Sequence, residues 1–453
     1  MFTVDQIREA LGSNLTGERA GSATAFSAIT NDSRVAKQGE LFVALQTEVR
    51  DGHDFIAGAI ANGATGVIVS NAEIDLPDDV WAFLVPDTKH AIGELARHYR
   101  ARFPAKSIAV AGNVGKTTTK ETIAAVLGSR YQVLKSPANF NDEIGLAMTL
   151  FMLDETRERI VVEVGMFELG EIRRLCEIAA PEIAVVLNVG PTHLERLGTM
   201  EAIAQAKGEA VEGLPEHGVA ILNADDHYVL KMAEKTKARV LTFGIENGAD
   251  FRAFNIEGRG IEGTDFTLQC MGRELRVHSP LPGPRLVYNA LAAIAVAVAD
   301  GMSVEEAAGA LAQQKIPARL QMKTASSGAT ILDDSYNASP ASMLAALGVL
   351  SETPGHRYAL LGDMLELGSA EADGHRSVGE EAARVVDGLF TVGPLGVQIA
   401  AAAMAAGLRL VRHFDDRDEA AAFLRENLGP GDIILIKASH GLRLDAVVAE
   451  LQR

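Results

Sequence analysis

The chain has 453 residues, 47% of them hydrophobic and 23% charged, so it can bury cores for about three domains of roughly 150 residues each. Lys and Arg total 42 against 60 Asp and Glu, and the formal charge of −18 argues against nucleic acid as a partner. Two cysteines without a CxxC pair argue against a disulfide framework or structural zinc and fit a reducing cytoplasm. The longest apolar stretch, residues 290–299, is shorter than the ~20 residues that span a bilayer, so we expect no membrane insertion.

Residues 1–86 are predicted to form a first α/β domain of short strands and helices. Continuous apolar runs predict buried strands at 41–45 and 66–69. A pattern that stops at a glycine predicts a helix at 55–62. A long helical pattern follows from 88 to 102 and is broken by Pro104.

Residues 87–316 are predicted to form a central domain around a parallel sheet. Its strands are continuous apolar runs, as a sheet covered on both faces requires, at 108–111, 160–164, 183–187 and 219–222. Helical stretches between them imply parallel pairing through right-handed crossovers. Residues 249–278 show the pattern of alternating strands without a helix, which predicts a small β insertion. An almost wholly apolar helix is expected at 289–299.

Residues 317–453 are predicted to form a smaller, doubly wound, Rossmann-like domain, with Pro317 and Arg319 at its boundary. Apolar strands separated by helical stretches recur at 330–333, 358–361, 389–392 and 433–436. The predicted fold class is therefore α/β with three domains.

A candidate phosphate-binding loop lies in the central domain, between an apolar strand and a helix. It consists of Gly112, Asn113, Val114, Gly115, Lys116, Thr117 and Thr118. The glycines permit a backbone whose N–H groups face one anion, Lys116 supplies positive charge, and Thr117 offers a hydroxyl to Mg²⁺. Val110 stands where the common GxxxxGK spacing has its first glycine. Alone, the loop indicates ATP or GTP binding, and the alternative is a glycine turn with an incidental lysine.

Polar residues follow two other strands of the predicted central sheet. Ligands of open α/β sheets bind beyond the carboxyl ends of the strands, so these residues should meet. Glu163 is a carboxylate inside an apolar strand, which needs a partner such as Mg²⁺. His193 lies in the loop after the next strand and is a candidate ligand of the same metal. The alternatives are a buried salt bridge for Glu163 and a structural role for His193.

Several segments together resemble the Mur ligase family, which builds the peptide of bacterial cell-wall precursors. They are GKTTTKE at 115–121, NFNDEIG at 139–145, GEI at 170–172, AKGE at 206–209, DSYNASP at 334–340 and GDMLELG at 362–368. The resemblance covers nearly the whole chain and implies an ATP-dependent amide ligase that forms an acyl phosphate. The segments at 139–141 and 362–368 imply the substrates UDP-N-acetylmuramoyl-tripeptide and D-alanyl-D-alanine.

The resemblance also implies roles at the nucleotide. Lys207 would be carbamylated by CO₂ and would bind Mg²⁺ through oxygen, and the alternative is a cationic lysine on phosphate. The implied metal ligands are Thr117, Glu163, His193 and Lys207, and the implied catalytic residues are Lys116, Lys207, His193 and Glu163. Asn289 would contact adenine, Arg319 phosphate, and Asp334 the ribose or the hinge. The alternative for these three is an exposed loop residue.

Substrate contacts are implied in the outer domains and in the NFN segment. They are Ser33, Arg34, Asp51, His53, Asn139, Asn141, Asn337, Ser339 and Lys437, although His53 could equally cap or pack locally. Several positions depart from the family pattern: Arg-Leu at 285–286 replaces His-Asn, Ser339 replaces Asn, Ala438 replaces Gly, and His440 replaces Arg. The last change puts in doubt whether a cation at 440 binds substrate, because histidine is mostly neutral at pH 7.

Three other functions remain open at this point. A ligase that adds the third amino acid usually carries an Asp-Asn-Pro-Arg segment, which this sequence lacks. A folate polyglutamate ligase lacks a UDP-sugar domain of this kind, and a regulatory NTPase would lack the second α/β domain. We expect a cytoplasmic monomer, and the sequence does not say whether the tripeptide ends in lysine or diaminopimelate.

Overall fold

The computed structural model describes residues 1–47, 50–192, 194–314 and 320–453. These residues divide into two compact units: 1–109, 131–166 and 170–182 in the first, and 110–130, 167–169 and 183–453 in the second. The domain bounds predicted from the sequence, 1–86, 87–316 and 317–453, stay a prediction. Every helix in the described ranges is too short or too polar to cross a bilayer.

The N-terminal residues, all in the first unit, form short strands and helices. The strands are β1 (Phe2–Thr3), β2 (Gly17–Arg19), β3 (Ala25–Phe26), β4 (Ile29–Thr30), β5 (Leu41–Val43), β6 (Gly66–Val69) and β7 (Trp81–Leu84). The helices are α1 (Val4–Leu11), α2 (Ile56–Ala61) and α3 (Thr88–Arg100). A sheet runs in the order β2-β7-β6-β5-β4, parallel except at β2. The helix predicted at 55–62 is shorter because a 3₁₀ turn, capped by the Asp51 side chain, occupies 52–55.

The middle of the chain carries the longer strands. They are β8 (Lys106–Ala111), β9 (Val133–Lys135), β10 (Arg159–Glu163), β11 (Ile183–Val186), β12 (Val219–Asn223), β13 (Arg239–Gly244), β14 (Phe251–Gly258), β15 (Thr264–Cys270) and β16 (Arg273–Ser279). The helices are α4 (Lys116–Gly128), α5 (Glu143–Leu150), α6 (Glu171–Ala179), α7 (Leu194–Leu197), α8 (Met200–Glu212), α9 (His227–Leu230), α10 (Val287–Ala299) and α11 (Val304–Gln313).

In the second unit, β11 to β14 pair in parallel, and β14 to β16 continue as an antiparallel meander. All residues of β11 and β12 are buried, which is why both strands read as continuous apolar runs. The region predicted as a β insertion therefore extends the parallel sheet at its edge. Sequence reasoning missed β13, because Arg239 and Thr242 interrupt its apolar pattern.

The C-terminal residues of the second unit form a separate sheet. Its strands are β17 (Gln321–Thr324), β18 (Thr330–Asp333), β19 (His356–Gly362), β20 (Gly388–Val392), β21 (Val411–Phe414) and β22 (Asp432–Lys437). The helices are α12 (Pro340–Glu352), α13 (Glu371–Val385), α14 (Gly396–Ala405), α15 (Arg417–Asn427) and α16 (Asp445–Leu451). The order is β17-β18-β22-β19-β20-β21, with β17 antiparallel.

Successive residues of these strands belong to cores on opposite faces of the C-terminal sheet. Leu361 and Leu435 pack in one core, whereas Leu360 and Ile434 pack in the other. Helices α12 to α14 contribute to the first core, and α15 and α16 to the second. This two-sided burial confirms the predicted Rossmann-like α/β class.

Candidate functional site

The loop between β8 and α4 has a backbone that favours glycine. Gly112 has a φ of +144° and Gly115 a φ of +90°. A Cβ at Gly115 would lie 3.0 Å from Asn289 Nδ2. Lys116 Nζ donates to the carbonyl oxygens of Gly112 at 3.0 Å and Asn113 at 3.2 Å, so the ammonium stays against the loop. A turn of this kind at a helix N-terminus, with a lysine beside it, is suited to an anion.

Asn188, just after β11, holds the first half of this loop. Its Oδ1 accepts from the backbone N–H groups of Asn113 at 3.0 Å and Val114 at 2.9 Å, and its Nδ2 donates to Val114 O at 2.9 Å. The Asn113 side-chain amide donates to Gly190 O at 3.0 Å and also to Thr192 Oγ1. The loop and the segment after β11 are therefore hydrogen-bonded together.

Asn289 holds the start of α4 from the apolar helix α10. Its side chain is buried, and Nδ2 donates to Gly115 O at 3.1 Å and to Thr119 Oγ1 at 2.7 Å. The asparagine thus packs directly against the phosphate loop. Its contact with adenine stays a prediction.

A pocket of about 1000 Å³ lies over the loop, at the upper end of the volume range of small-molecule sites. Its wall contains these residues from the predicted site: Asn113, Val114, Gly115, Thr118, Asn289, Asp334, Ser339 and Lys437. Arg285 and Leu286, where the sequence departs from the family pattern, line it too. The structure therefore brings part of the phosphate loop together with strand-end residues of the C-terminal sheet.

The pocket wall includes the carboxylate of Asp225, which accepts four hydrogen bonds. Asp225 accepts from the backbone N–H groups of Ile245 at 2.6 Å, Glu246 at 3.1 Å and Asn247 at 2.7 Å, and from the Tyr288 hydroxyl at 2.8 Å. Burial raises the pKa of Asp225, but these donors outweigh it and hold the pKa below its ordinary value. Burial and the hydrogen bond to Asp225 raise the pKa of Tyr288 well above its ordinary value.

Sequence reasoning missed Asn188, Asp225 and Tyr288. Asn188 and Asp225 follow the carboxyl ends of β11 and β12, so the rule that pointed to Glu163 could have found both. Tyr288 carries no such signal, because a tyrosine in an apolar helix is usually read as part of the core.

The C-terminal part of the pocket wall contains a buried ion pair. Lys437 and Asp334 are 1% and 7% exposed, and Lys437 Nζ lies 2.6 Å from Asp334 Oδ2. The same ammonium donates to Asn337 O at 2.7 Å. The charge of Lys437 is therefore matched within the wall, and its contact with a substrate stays a prediction. Ser339 caps α12, with its Oγ accepting from the backbone N–H of Ser342 at 3.4 Å.

His440, which stands where the family usually has arginine, is exposed beside the pocket-forming C-terminal sheet. Its ring centroid lies 5.4 Å from that of Tyr336. Tyr336 is therefore a direct neighbour of the His440 ring.

Other predicted residues lie apart from the pocket wall or outside the described ranges. His193 and Arg319 fall outside the described residues, as does the predicted boundary at Pro317. Lys207 lies on α8 and is 1% exposed. Within the described part of the chain, no three His, Cys, Asp or Glu side chains form a cluster that could hold a metal. The predicted ligand set also uses a threonine and a modified lysine, so it stays a prediction.

Glu163 and Asn141 are described within the first unit. Glu163 is 1% exposed and ends β10, and Asn141 Nδ2 donates to its Oε1 at 3.0 Å. Asn141 O accepts from Gly165 N at 2.8 Å, and a Cβ at Gly165 would lie 2.9 Å from Asn141 Cγ. Asn141, predicted as a substrate contact, thus orients a buried carboxylate. Its neighbour Asn139 is exposed.

The predicted sugar-nucleotide residues of the first unit are bonded to near neighbours. The Arg34 side chain is 85% exposed and lies 2.7 Å from Asp32, whose pKa it lowers to about 2. His53 Nδ1 lies 2.6 Å from Asp51 Oδ1, and its Nε2 accepts from Ser70 N at 3.0 Å. His53 thus has local hydrogen-bond partners, and the substrate roles of Ser33, Arg34, Asp51 and His53 stay predictions.

Three family models match successive parts of the chain. They are the "Mur ligase family, catalytic domain" at residues 25–100, the "Mur ligase middle domain" at 110–297, and the "Mur ligase, glutamate ligase domain" at 318–440. The matches include the phosphate loop and the C-terminal wall of the pocket.

Curated relatives and solved structures match almost the full length. UDP-N-acetylmuramoyl-tripeptide–D-alanyl-D-alanine ligases of Bacillus subtilis and Escherichia coli are 36% and 38% identical, over 99% and 97% of this chain and 98% and 96% of theirs. A crystal structure of MurF from Acinetobacter baumannii matches with a TM-score of 0.89 at 30% identity, covering 100% of this chain and 98% of that one. MurF ligase from Thermotoga maritima in complex with ADP matches with a TM-score of 0.82 at 30% identity, covering 94% and 97%. The chain, with a phosphate loop and C-terminal strand ends around one pocket, belongs to the Mur ligase family.

Proposed function

We propose that this chain is an ATP-dependent ligase that joins D-alanyl-D-alanine to UDP-N-acetylmuramoyl-tripeptide. The observation that carries the proposal is 36% identity, over 99% of this chain, to a ligase of that name. The pocket supports it, because a phosphate loop and the C-terminal wall bound one cavity large enough for a nucleotide.

The reaction has two steps. A carboxylate oxygen of the tripeptide attacks the γ-phosphorus of ATP, the bond from that phosphorus to the ADP oxygen breaks, and an acyl phosphate forms. The amine of the dipeptide then attacks the acyl carbon through a tetrahedral intermediate. Phosphate leaves, the amine loses a proton, and an amide remains. Positioning and charge stabilisation supply most of the catalysis in such transfers.

In this proposal the phosphate loop binds the phosphates of ATP. Lys116 lies at the loop carbonyl oxygens of Gly112 and Asn113, from which its ammonium can reach a phosphate oxygen. Asn289 and Arg319 remain the proposed contacts to adenine and phosphate. Asp334 lies in the pocket wall and remains the proposed contact to the ribose or the hinge.

We propose Thr117, Glu163, His193 and Lys207 as ligands of Mg²⁺, with Lys207 carbamylated. Glu163 fits this role, because it is a carboxylate with 1% exposure at the end of a strand and Asn141 fixes one of its oxygens. Lys207 on α8 is 1% exposed, so a carbamate formed on its side chain would be shielded from bulk solvent. Bound Mg²⁺ would neutralise charge on the phosphates.

Substrate contacts are proposed in the N-terminal part of the chain, in the segment at 139–141 and in the C-terminal part. Ser33, Arg34, Asp51 and His53 would bind the UDP-sugar, and Asn139 with Asn141 the sugar-peptide. Asn337, Ser339 and Lys437 would contact the dipeptide or the tripeptide tail. We also propose that the protein is a cytoplasmic monomer.

The test is a matrix of phosphate-release assays with ATP, several UDP-peptides and several amines. We expect fast release only when UDP-tripeptide and D-alanyl-D-alanine are both present, with lysine and diaminopimelate tripeptides compared. Fast turnover with a diamino acid on UDP-dipeptide would instead support the ligase that adds the third residue. Release that responds to neither substrate would indicate a regulatory NTPase.

A further inference from the structure

We infer that Asn188 is a positioning residue that holds the phosphate loop in its nucleotide-binding conformation. The inference rests on the proposed use of ATP. It comes from a side chain whose two polar atoms serve three backbone groups of the loop: N–H of Asn113, N–H of Val114, and C=O of Val114.

The side chain at position 188 provides an acceptor and a donor together, and the acceptor serves two of the three loop groups. Oδ1 takes two successive N–H groups at 3.0 and 2.9 Å, and Nδ2 donates to Val114 O at 2.9 Å. A carboxylate of the same shape would keep the two acceptor contacts and lose the donor. An apolar side chain would leave the N–H and C=O of Val114 without this partner, whereas Asn113 N–H would keep the backbone carbonyl of residue 188 at 3.2 Å. Unpaired backbone groups disfavour a conformation.

The backbone on both sides of Asn188 is itself fixed by residues at the end of β12. Asn223 Nδ2 donates to Leu187 O at 2.9 Å, and Asp226 Oδ2 accepts from Val189 N at 2.7 Å. Asn223 Oδ1 in turn accepts from Asp225 N at 2.9 Å. Asn188 therefore transmits the rigidity of neighbouring parallel strands to the loop.

This arrangement divides the loop into two parts. The N–H groups of Asn113 and Val114 bind Asn188, so they shape the loop rather than bind the nucleotide. The phosphates are left to the remainder of the loop and the start of α4, where helix geometry points N–H groups outward. Without Asn188, binding of a nucleotide must itself order the loop, which weakens the apparent affinity.

The test measures ADP binding by calorimetry and hydrogen exchange of the loop amides by mass spectrometry. We compare the wild type with Asn188→Ala, Asn188→Asp and the control Asn427→Ala. The control loses a side-chain hydrogen bond to Phe423 O at the end of α15. For Asn188→Ala we expect about tenfold weaker ADP binding and faster exchange across 113–114, as the loss of about one buried hydrogen bond implies. The control should match the wild type in both measurements.

Asn188→Asp separates positioning from general destabilisation. Its carboxylate still accepts from Asn113 and Val114, so loop exchange should stay slow, while the added negative charge weakens ADP binding. In ligation assays, Asn188→Ala should raise KM for ATP about tenfold and leave KM for the dipeptide unchanged.

Wild-type ADP affinity and wild-type exchange in Asn188→Ala would overturn the inference. If that variant fails to fold, fast loop exchange in folded Asn188→Asp would overturn it as well. ADP binding does not depend on ligation. A wild type that binds ADP and forms no peptide therefore contradicts the proposed function and leaves the inference about Asn188 in place.

Discussion

The phosphate loop and the segment around Arg34 are both candidate anion sites, and they are built in opposite ways. The loop is fixed by glycine geometry and by the amides of Asn188 and Asn289. The Arg34 side chain is 85% exposed, and its partner Asp32 lies two positions earlier in the sequence. A prebuilt site loses little entropy on binding, whereas a long exposed side chain must first be ordered. Substitutions in the buried, prebuilt site should therefore have the larger effects.

The largest effect is expected from Gly115→Ala. The added Cβ meets Asn289 Nδ2 at 3.0 Å in a residue whose φ is +90°, so the loop must move. We expect activity and ADP affinity to fall by about a hundredfold or more, since a displacement of ~1 Å at a reaction site has this effect. Calorimetry with ADP and a phosphate-release assay measure the two quantities.

Gly128→Ala is the matched control for Gly115→Ala. Gly128 is the last residue of the same helix, and an added Cβ would meet no atom within 4 Å. We expect unchanged ADP binding and a stability gain of about 0.5–1 kcal/mol, because alanine is the better helix former. Wild-type ADP affinity in Gly115→Ala would show that the loop is not prebuilt.

Lys207→Ala tests the buried lysine on α8. If Lys207 is carbamylated, the variant should lose activity by about a hundredfold or more, as expected for removal of a charge-stabilising group. Short-chain carboxylates such as acetate should partly restore turnover by supplying the lost oxygen ligand. Loss of activity without rescue at any carboxylate concentration favours a cationic lysine instead, and full activity would remove Lys207 from the site.

Lys437→Met tests the ion pair between Lys437 and Asp334 in the C-terminal part of the pocket wall. The change leaves Asp334 buried and unpaired, so we expect a loss of about 3–5 kcal/mol in the free energy of unfolding. The double variant Lys437→Met/Asp334→Asn should recover a large part of that loss, because no buried charge remains. Urea unfolding of both variants measures the difference. Equal stabilities of the single and double variants would mean that Asp334 is solvated.

The sequence predicted those parts of the structure that depend on local pattern. Continuous apolar runs identified β11, β12 and the main C-terminal strands, and the glycine spacing identified the phosphate loop. The pattern did not reveal that Lys437 pairs with Asp334, because that contact joins residues 103 positions apart across two strand ends. Nor did it reveal Asn188, whose role is visible only through its three hydrogen bonds to the loop.

A pH-dependent prediction concerns Asp225. Its pKa is held below the ordinary value by donors that outweigh burial, so its stabilisation is present above the unfolded pKa and is lost only as pH falls through the lowered one. Asp225→Asn should therefore lose about 1.5–3 kcal/mol of stability, the range for hydrogen bonds to a charged group. This difference from the wild type should be constant between about pH 5 and 8. Urea unfolding across that range checks it, and a difference that shrinks between pH 6 and 5 would contradict the lowered pKa.

The smallest effect is expected at Arg34. The guanidinium is exposed and already paired with Asp32, so its attraction for an anionic diphosphate is screened and partly cancelled. Arg34→Ala should raise KM for the UDP-substrate less than about tenfold and leave kcat unchanged, as removal of uniform binding requires. Added salt should weaken wild-type binding and have less effect on the variant.

Asp32→Asn and Arg376→Ala distinguish a role in substrate binding from a general effect of charge. Asp32→Asn frees the guanidinium, so KM for the UDP-substrate should fall or stay equal. Arg376 is also exposed and paired locally, with Asp373 on α13, and its loss should leave KM unchanged. An increase of KM by a hundredfold in Arg34→Ala would contradict the comparison between the two sites. Arg34 would then have to become buried against the substrate, and the first unit would hold a site assembled only on binding.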